Sequence, residues 1–146
     1  MIRTRLWSDD FKNGEPIPDK CVYRKQNISP HLAWDDVPEG TKSFALICND
    51  PDAPVGDWIH WLIHSIPPDT RSIPAGGPVP GVQVKNDFGI VEWGGPAPPS
   101  GTHRYFFTLY ALDTPELESV TKSNIRNLCE KHKLASAQLM GIYSKK

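Results

Sequence analysis

The sequence predicts an all-β protein: an antiparallel β-sandwich with Greek-key connections, one C-terminal helix and long Pro/Gly loops. Two observations lead to this prediction. Several short segments alternate apolar and polar residues, and the 15 prolines lie between these segments rather than in one low-complexity block. Only one segment, late in the chain, has the period of an amphipathic helix. Many short strands with Gly/Pro turns and a single helix are typical of a sandwich.

Three segments carry the strand signal. Residues 42–49 form a short apolar run between two turn sequences, as expected of a central strand. Residues 58–66 and 103–112 alternate, so that successive side chains point to opposite faces of the sheet. In the first of these, one predicted face carries Trp58, His60, Leu62, His64 and Ile66, and the other carries Ile59, Trp61, Ile63 and Ser65. In the second, one predicted face carries His103, Tyr105, Phe107, Leu109 and Ala111.

The remaining elements are weaker in the sequence. Short strands are predicted at 82–84 and 89–93, inside a loop-rich region that runs from 67 to 100. Apolar residues recur at helical spacing over 121–133, and positive charges near its end suit a helix C-terminus. A last strand over 138–143 is expected to close the sheet.

Composition limits the classes of function. The 146 residues form one domain over 1–146, and the net charge of -1 excludes an electrostatic nucleic-acid partner. No apolar stretch reaches the roughly 20 residues that span a bilayer, and residues 1–6 lack a signal-peptide core. Cys21, Cys48 and Cys129 are scattered and odd in number, which suits a reducing compartment and predicts a soluble, cytoplasmic protein without structural zinc.

A carboxylate and two histidines stand at the ends of predicted strands. Asp50 follows the apolar run 42–49, His60 lies near the start of the next strand, and His103 begins the strand after the long loop. Strand ends that meet at one edge of a sheet would bring the three side chains together. Such a group can form a small pocket for an anion or a metal ion.

These segments resemble the phosphatidylethanolamine-binding protein family, and most closely its short prokaryotic branch, often called Raf-kinase-inhibitor-like. The resemblance is carried by ordered motifs along nearly the whole chain. They are Asn27-Ile28-Ser29-Pro30, Val37-Pro38-Glu39-Gly40-Thr41, Asp50-Pro51-Asp52-Ala53-Pro54, His60-Trp61, Gly94-Gly95-Pro96-Ala97-Pro98-Pro99, Gly101-Thr102-His103-Arg104-Tyr105 and Leu139-Met140-Gly141-Ile142-Tyr143.

The resemblance implies a surface pocket for a phosphate-containing small molecule or a phospholipid head group, with no cofactor and no metal. Carried over residue by residue, the ligand-binding set is Asp50, Asp52, Trp58, His60, Gly94, Pro98, Pro99, His103 and Tyr105. The prolines are expected to form one wall of the pocket. Gly94 is expected to let the backbone come close to the ligand.

The chemistry of these residue types agrees with an anion pocket. Imidazole N–H groups and a phenol O–H donate hydrogen bonds to phosphate oxygens. Asp50 would repel an anion directly, so its expected task is to orient a histidine and to favour the imidazolium form. Simpler interpretations remain open: Asp50 and Asp52 can act as turn caps, and either histidine can be a structural hydrogen-bonding group. Arg104 is interpreted as a member of a structural ion pair.

Three hypotheses for function follow. The first is a non-enzymatic binder whose pocket takes the anion and whose surface regulates a protein partner such as a kinase or a protease. The second is a hydrolase in which Asp50, His60 and His103 hold a metal ion or act directly as acid and base. The third is a structural or oligomeric module with a vestigial pocket. The sequence predicts no catalytic residue for the first hypothesis and is equally compatible with a monomer and a homodimer.

Overall fold

The computed structural model describes residues 3–145. Met1, Ile2 and Lys146 lie outside the described residues, so the expectation for residues 1–6 falls partly outside them. The elements in chain order are β1 (Arg5–Trp7), a 3-10 helix (Asp19–Cys21), β2 (Leu32–Asp35), β3 (Ser43–Asp50), β4 (Trp58–Ile66), β5 (Ser72–Ile73), β6 (Val82–Gln83), β7 (Thr102–Leu112), α1 (Ile125–His132) and β8 (Lys133–Ser144).

Two antiparallel sheets form the sandwich. The smaller sheet has the strand order β1-β2-β5, and the larger has the order β6-β4-β3-β7-β8. After the β3–β4 hairpin the chain crosses to the small sheet through β5 and returns to place β7 beside β3. The all-β class with two antiparallel sheets and a single late helix is therefore confirmed among the described residues.

The core lies between the two sheets. Trp34 and Leu32 of the small sheet pack in one cluster with Phe44, Leu46 and Phe107 of the large sheet, and all five are essentially inaccessible to solvent. A second cluster covers the opposite face of the large sheet beneath α1. It contains Ala45, Ile47, Ile59, Leu62, Tyr110, Leu112, Leu117, Ile125 and Cys129. The large sheet is thus buried on both faces, which explains the continuous apolar run in β3.

The strict alternation predicted for β4 is wrong, because β4 departs twice from regular pairing with β3. Cys48 pairs with Trp61 while Asn49 pairs with Ile59, which leaves His60 as an extra residue in a β-bulge. A second irregularity lies near Ser65, whose φ is 55°. These bulges put Trp61, Ile63 and Ile66 in the inter-sheet core and Ile59 and Leu62 beneath the helix. The predicted face of β7 needs no correction, since Tyr105, Phe107, Leu109 and Ala111 all enter the inter-sheet core.

No strand forms at 89–93, although the sequence predicted one. The buried side chain of Asn86 holds this segment as a turn instead. Its Oδ1 accepts hydrogen bonds from the amides of Phe88 and Ile90, and its Nδ2 donates to the carbonyls of His60 and Glu92. A side chain that satisfies four backbone groups replaces the ladder that a strand would need.

The helix is shorter and the last strand longer than predicted. Residues 121–124 form a turn in which Asn124 Oδ1 accepts from the amide of Thr121, and α1 begins at Ile125. Lys133, expected to end the helix, is the first residue of β8. That strand pairs with β7 from Leu112 to Thr102, and this long-range pairing decides its length.

Candidate functional site

Three neighbouring strands of the large sheet bring the predicted site residues to one edge. Asp50 is the last residue of β3, and His60 is the third residue of β4. His103 and Tyr105 lie near the start of β7. Because β4 and β7 both run antiparallel to β3, their first residues lie beside its last ones. The sheet register therefore places all four residues together, as the sequence predicted.

Asp50 and His103 form a buried hydrogen-bonded pair. The distance from His103 Nδ1 to Asp50 Oδ2 is 2.7 Å, and their side chains are 8% and 5% exposed. Oδ1 of Asp50 also accepts from the amide of Asp52 at 2.8 Å, so the same carboxylate stabilises the turn that follows β3. Both interpretations of Asp50, as turn cap and as partner of a histidine, hold at once. The bond to Nδ1 leaves Nε2 of His103 as the ring nitrogen available to a ligand.

His60 is oriented by the backbone and not by a carboxylate. Its Nδ1 donates to the carbonyl of Gly94 at 2.5 Å, and its ring meets that of Tyr105 edge-on with centroids 5.1 Å apart. Burial lowers the pKa of His60 below its usual value, against smaller raising effects from Gly94 and Asp50. Burial therefore favours the neutral form of His60, whereas the hydrogen-bond partner of His103 is a carboxylate.

The phenol of Tyr105 is buried beside the ring of His60. Its hydroxyl is inaccessible to solvent and completes no hydrogen bond of good geometry within residues 3–145, although the backbone of Ala97 lies close enough to lower its pKa slightly. Burial raises its pKa far above the ordinary value, so the hydroxyl keeps its proton. A buried donor without a partner costs stability, and such groups are concentrated at functional sites.

A pocket of about 400 Å³ opens over these residues. Its lining consists of Tyr23, Arg24, Asp50, Ala53, Pro54, Val55, Trp58, His60, Phe88, Ala97, Pro99 and His103. We call it the site pocket. Among the residues predicted from the sequence, Asp50, Trp58, His60, Pro99 and His103 line it directly.

Aromatic rings that no sequence pattern predicted form one side of the site pocket. Phe88 stacks on Tyr23 with ring centroids 4.2 Å apart, and it meets Trp58 and His60 edge-on at 5.5 and 5.3 Å. Tyr23 and Phe88 lie in loops, outside any periodic segment, so no pattern in the sequence pointed to them. Arg24 was missed for the same reason.

Four predicted residues do not line the site pocket. Tyr105 is fully buried, and its ring lies against that of His60 instead of at the pocket surface. Asp52 forms a bidentate ion pair with Arg104, as predicted for Arg104, and this hydrogen bonding lowers the pKa of Asp52 to about 2. Pro98 lines a neighbouring groove. Gly94 lies behind the site pocket, where an added Cβ would be 2.4 Å from Cδ2 of Phe88. Its lack of a side chain admits the Phe88 ring.

The geometry bears on the metal hypothesis. No group of three or more His, Cys, Asp or Glu side chains between residues 3 and 145 is arranged to hold a metal ion. Asp50 and His103 direct polar atoms at each other, and Nδ1 of His60 is bound to Gly94. The three cysteines are buried and unpaired, and burial raises the pKa of Cys48 well above its usual value.

The fold and the site together define a class of protein: a β-sandwich with a small pocket at one edge of its larger sheet, built on a carboxylate, two histidines and a tyrosine. The model of the phosphatidylethanolamine-binding protein family matches residues 7–144. The chain belongs to this family.

Individual proteins with similar sequences agree with this family assignment. The chain is 47% identical over 141 residues to a UPF0098 protein of Methanothermobacter thermautotrophicus, covering 91% of this chain and 93% of that one. It is 42% identical over 157 residues to the UPF0098 protein YbhB of Escherichia coli, covering 96% and 99%.

Two crystal structures have the same fold. One is the phosphatidylethanolamine-binding protein homologue CT736 of Chlamydia trachomatis, with a TM-score of 0.93, 37% identity and full coverage of both chains. The other is YbcL of Escherichia coli, described as a member of the mammalian PEBP family, with a TM-score of 0.93, 33% identity and 99% coverage of both chains. No helix in residues 3–145 of this chain is long and apolar enough to cross a membrane.

Proposed function

We propose that the protein is a non-enzymatic binder of phosphate-like anions, either phosphorylated small molecules or phospholipid head groups, in the site pocket. The observation that carries the proposal is the Asp50–His103 pair. Its bond to Nδ1 fixes the imidazole, and the carboxylate stabilises a positive ring whose Nε2–H can donate to an anion. The uncommitted hydroxyl of Tyr105 supplies a further donor at the same edge of the sheet.

The pocket walls support binding of a small ligand. Apolar and aromatic side chains surround a few converging polar groups, which is the usual composition of a ligand site. The ring of Phe88 contacts those of Tyr23 and Trp58, and Pro99 forms part of the rim. Little conformational entropy is lost when a ligand enters walls that are already packed.

The proposal is tested by calorimetric titration of chelator-treated, metal-analysed protein with phosphate and phosphorylethanolamine. Asp50→Ala and His103→Ala are expected to abolish the heat of binding. The chain offers a matched control, since Asp113 and His132 form a second Asp–His pair with a distance of 2.9 Å on the surface. Asp113→Ala and His132→Ala should bind as the parent does. Absence of binding to both ligands in the parent would overturn the proposal.

A hydrolase that uses the same pocket is the second candidate, because a buried Asp–His pair is also the base of many hydrolytic sites. The described lining carries no serine, threonine or cysteine, so the nucleophile would be either a water molecule activated by His103 or an aspartate, histidine or tyrosine of the lining. Incubation of the parent with phosphorylethanolamine, followed by assay of free phosphate, tests this candidate. Release that disappears in His103→Ala would move the hydrolase ahead of the binder.

We further propose that the liganded protein acts in the cytoplasm as a regulator of a protein partner such as a kinase or a protease. The support is the family resemblance. Cross-linking in cells that express the parent or His103→Ala tests it. A kinase or protease captured only by the parent is the expected result, and identical cross-linking profiles would contradict the proposal.

A further inference from the structure

A second groove adjoins the site pocket and is lined by cations. Its volume is about 440 Å³, and Arg24, Lys25 and Lys145 line it together with Ala97, Pro98 and Pro99. We call it the basic groove. Ala97 and Pro99 also line the site pocket, so these two residues form the ridge between the cavities.

Arg24 is the one charged residue that lines both cavities within the described chain. Its side chain is exposed and forms no ion pair or hydrogen bond with residues 3–145. Lys25, by contrast, lies 3.3 Å from the carboxylate of Asp19, which partly neutralises it. Lys145 has no ion-pair partner among the described residues either. The ridge is therefore flanked by uncompensated positive charge.

The backbone around Arg24 is held firmly. The amide of Tyr23 donates to the carbonyl of Pro96, and Asn27 accepts from the amide of Gly95 while donating to the carbonyl of Trp93. An added Cβ on Gly95 would be 1.8 Å from the carbonyl oxygen of Cys21, so the two loops are in close contact. The stacking of Tyr23 on Phe88 adds a side-chain contact. Arg24 therefore projects from a fixed position beside the ridge.

We infer that the ligand carries a second anionic group, a carboxylate, which Arg24 binds at the ridge while the phosphoryl group occupies the site pocket. The planar guanidinium has donors in a fork that matches a carboxylate, whereas an ammonium group offers only a point charge. This inference rests on the proposed function, since it assigns a specificity-determining residue to the same site. The expected ligand class is a phosphorylated amino acid or its glycerol diester.

Two small ligands that differ by a single carboxylate test the inference about Arg24. O-phosphoserine is phosphorylethanolamine with one additional carboxylate, so their affinities differ only through that group. We expect calorimetry to show about two- to fivefold tighter binding of O-phosphoserine, the range typical of an exposed ion pair. The preference should disappear in Arg24→Ala, weaken in Arg24→Lys, and persist in Lys131→Ala, which removes an exposed cation from α1. A parallel titration with glycerophosphoserine distinguishes a lipid head group from a free phosphomonoester.

The titrations distinguish failure of the inference about Arg24 from failure of the proposed function. Equal affinity for the two probes in the parent, or an undiminished preference in Arg24→Ala, would overturn the inference while leaving the anion pocket intact. Failure of every probe to bind would instead remove the proposed function. Because Arg24 is exposed and unpaired within residues 3–145, its substitution should leave the melting temperature unchanged, which a thermal scan checks.

Discussion

Asp50 and His103 are 53 residues apart in the chain, and a buried hydrogen bond of 2.7 Å joins them. The pair lies where the end of β3 meets the start of β7. Since the bond fixes Nδ1 of the imidazole, the other ring nitrogen has a defined direction and a carboxylate to balance its charge. This relationship distinguishes His103 from His60, whose partner is a neutral carbonyl.

Affinity for an anion should depend on the carboxylate of Asp50 through this pair. Asp50 accepts a hydrogen bond from Nδ1 of His103 and so fixes the ring that faces the ligand. In Asp50→Asn the affinity for sulfate should fall roughly tenfold, because a neutral amide no longer balances positive charge beside the anion. Calorimetric titration with sulfate measures this difference. An affinity equal to that of the parent would contradict the role of the pair.

Burial of His60 and His64 should make the fold sensitive to acid. The pKa of each is lowered from 6.5 by desolvation, so the unfolded chain binds the protons more readily. Their contribution to stability is complete above the unfolded pKa and decreases as the pH falls below it. We expect the melting temperature to fall from about pH 7 to about pH 5, and to fall less in His60→Gln and in His64→Gln. If the melting temperature of both variants changes with pH as it does in the parent, His60 and His64 are not the cause of the acid sensitivity.

Removal of the Tyr105 hydroxyl should weaken phosphate binding without lowering the free energy of unfolding. Tyr105→Phe deletes a buried donor that has no partner within residues 3–145, so the free energy of unfolding should stay equal or rise by up to about 1 kcal/mol. Phosphate affinity should fall, because the proposed site uses the same hydroxyl as a donor to the anion. Tyr110→Phe, on β7 but in the cluster beneath the helix, is the control and should leave affinity unchanged. Unaltered affinity in Tyr105→Phe would exclude the hydroxyl as a ligand contact.

Gly94 should tolerate no side chain while Phe88 keeps its position. The Cβ of Gly94→Ala would overlap the Phe88 ring, so we expect a loss of about 1–3 kcal/mol in unfolding free energy and weaker phosphate binding. The double variant Gly94→Ala/Phe88→Leu tests the cause in a double-mutant cycle. Its loss should be smaller than the sum of the two single losses, since the smaller side chain makes room. Additive losses would show that the cost arises elsewhere.

The positions of the long strands β3, β4 and β7 and one face of the site followed from the sequence alone, whereas the small sheet β1-β2-β5 was not predicted. The alternation from His103 to Ala111 gave the correct inward face of β7, because side-chain direction in a regular strand depends only on local periodicity. The motif resemblance placed Asp50, His60, His103 and Tyr105 in one site, and the sheet brings them to a common edge. For the ion pair of Arg104, the sequence predicted the role and the structure supplied the partner, Asp52.

Other features depend on contacts that no local pattern contains. The bulge at His60 arises from pairing with β3, and it changes which face each β4 residue occupies. Asn86 forms a turn where the sequence predicted a strand, because its side chain bonds to backbone groups on both sides. Tyr23 and Arg24 reach the site pocket through a loop that packs on residues 93–96, about 70 positions away along the chain.

The sequence by itself therefore determined the fold class and the chemical types of the central site residues. These follow from periodicity and from motifs that are local in the chain. Only the tertiary structure decided which histidine has a carboxylate partner, which aromatic rings form the pocket wall, and that a basic groove lies beside it. Those properties depend on packing between distant segments, where burial lowers the pKa of His60 and loop contacts set the position of Arg24.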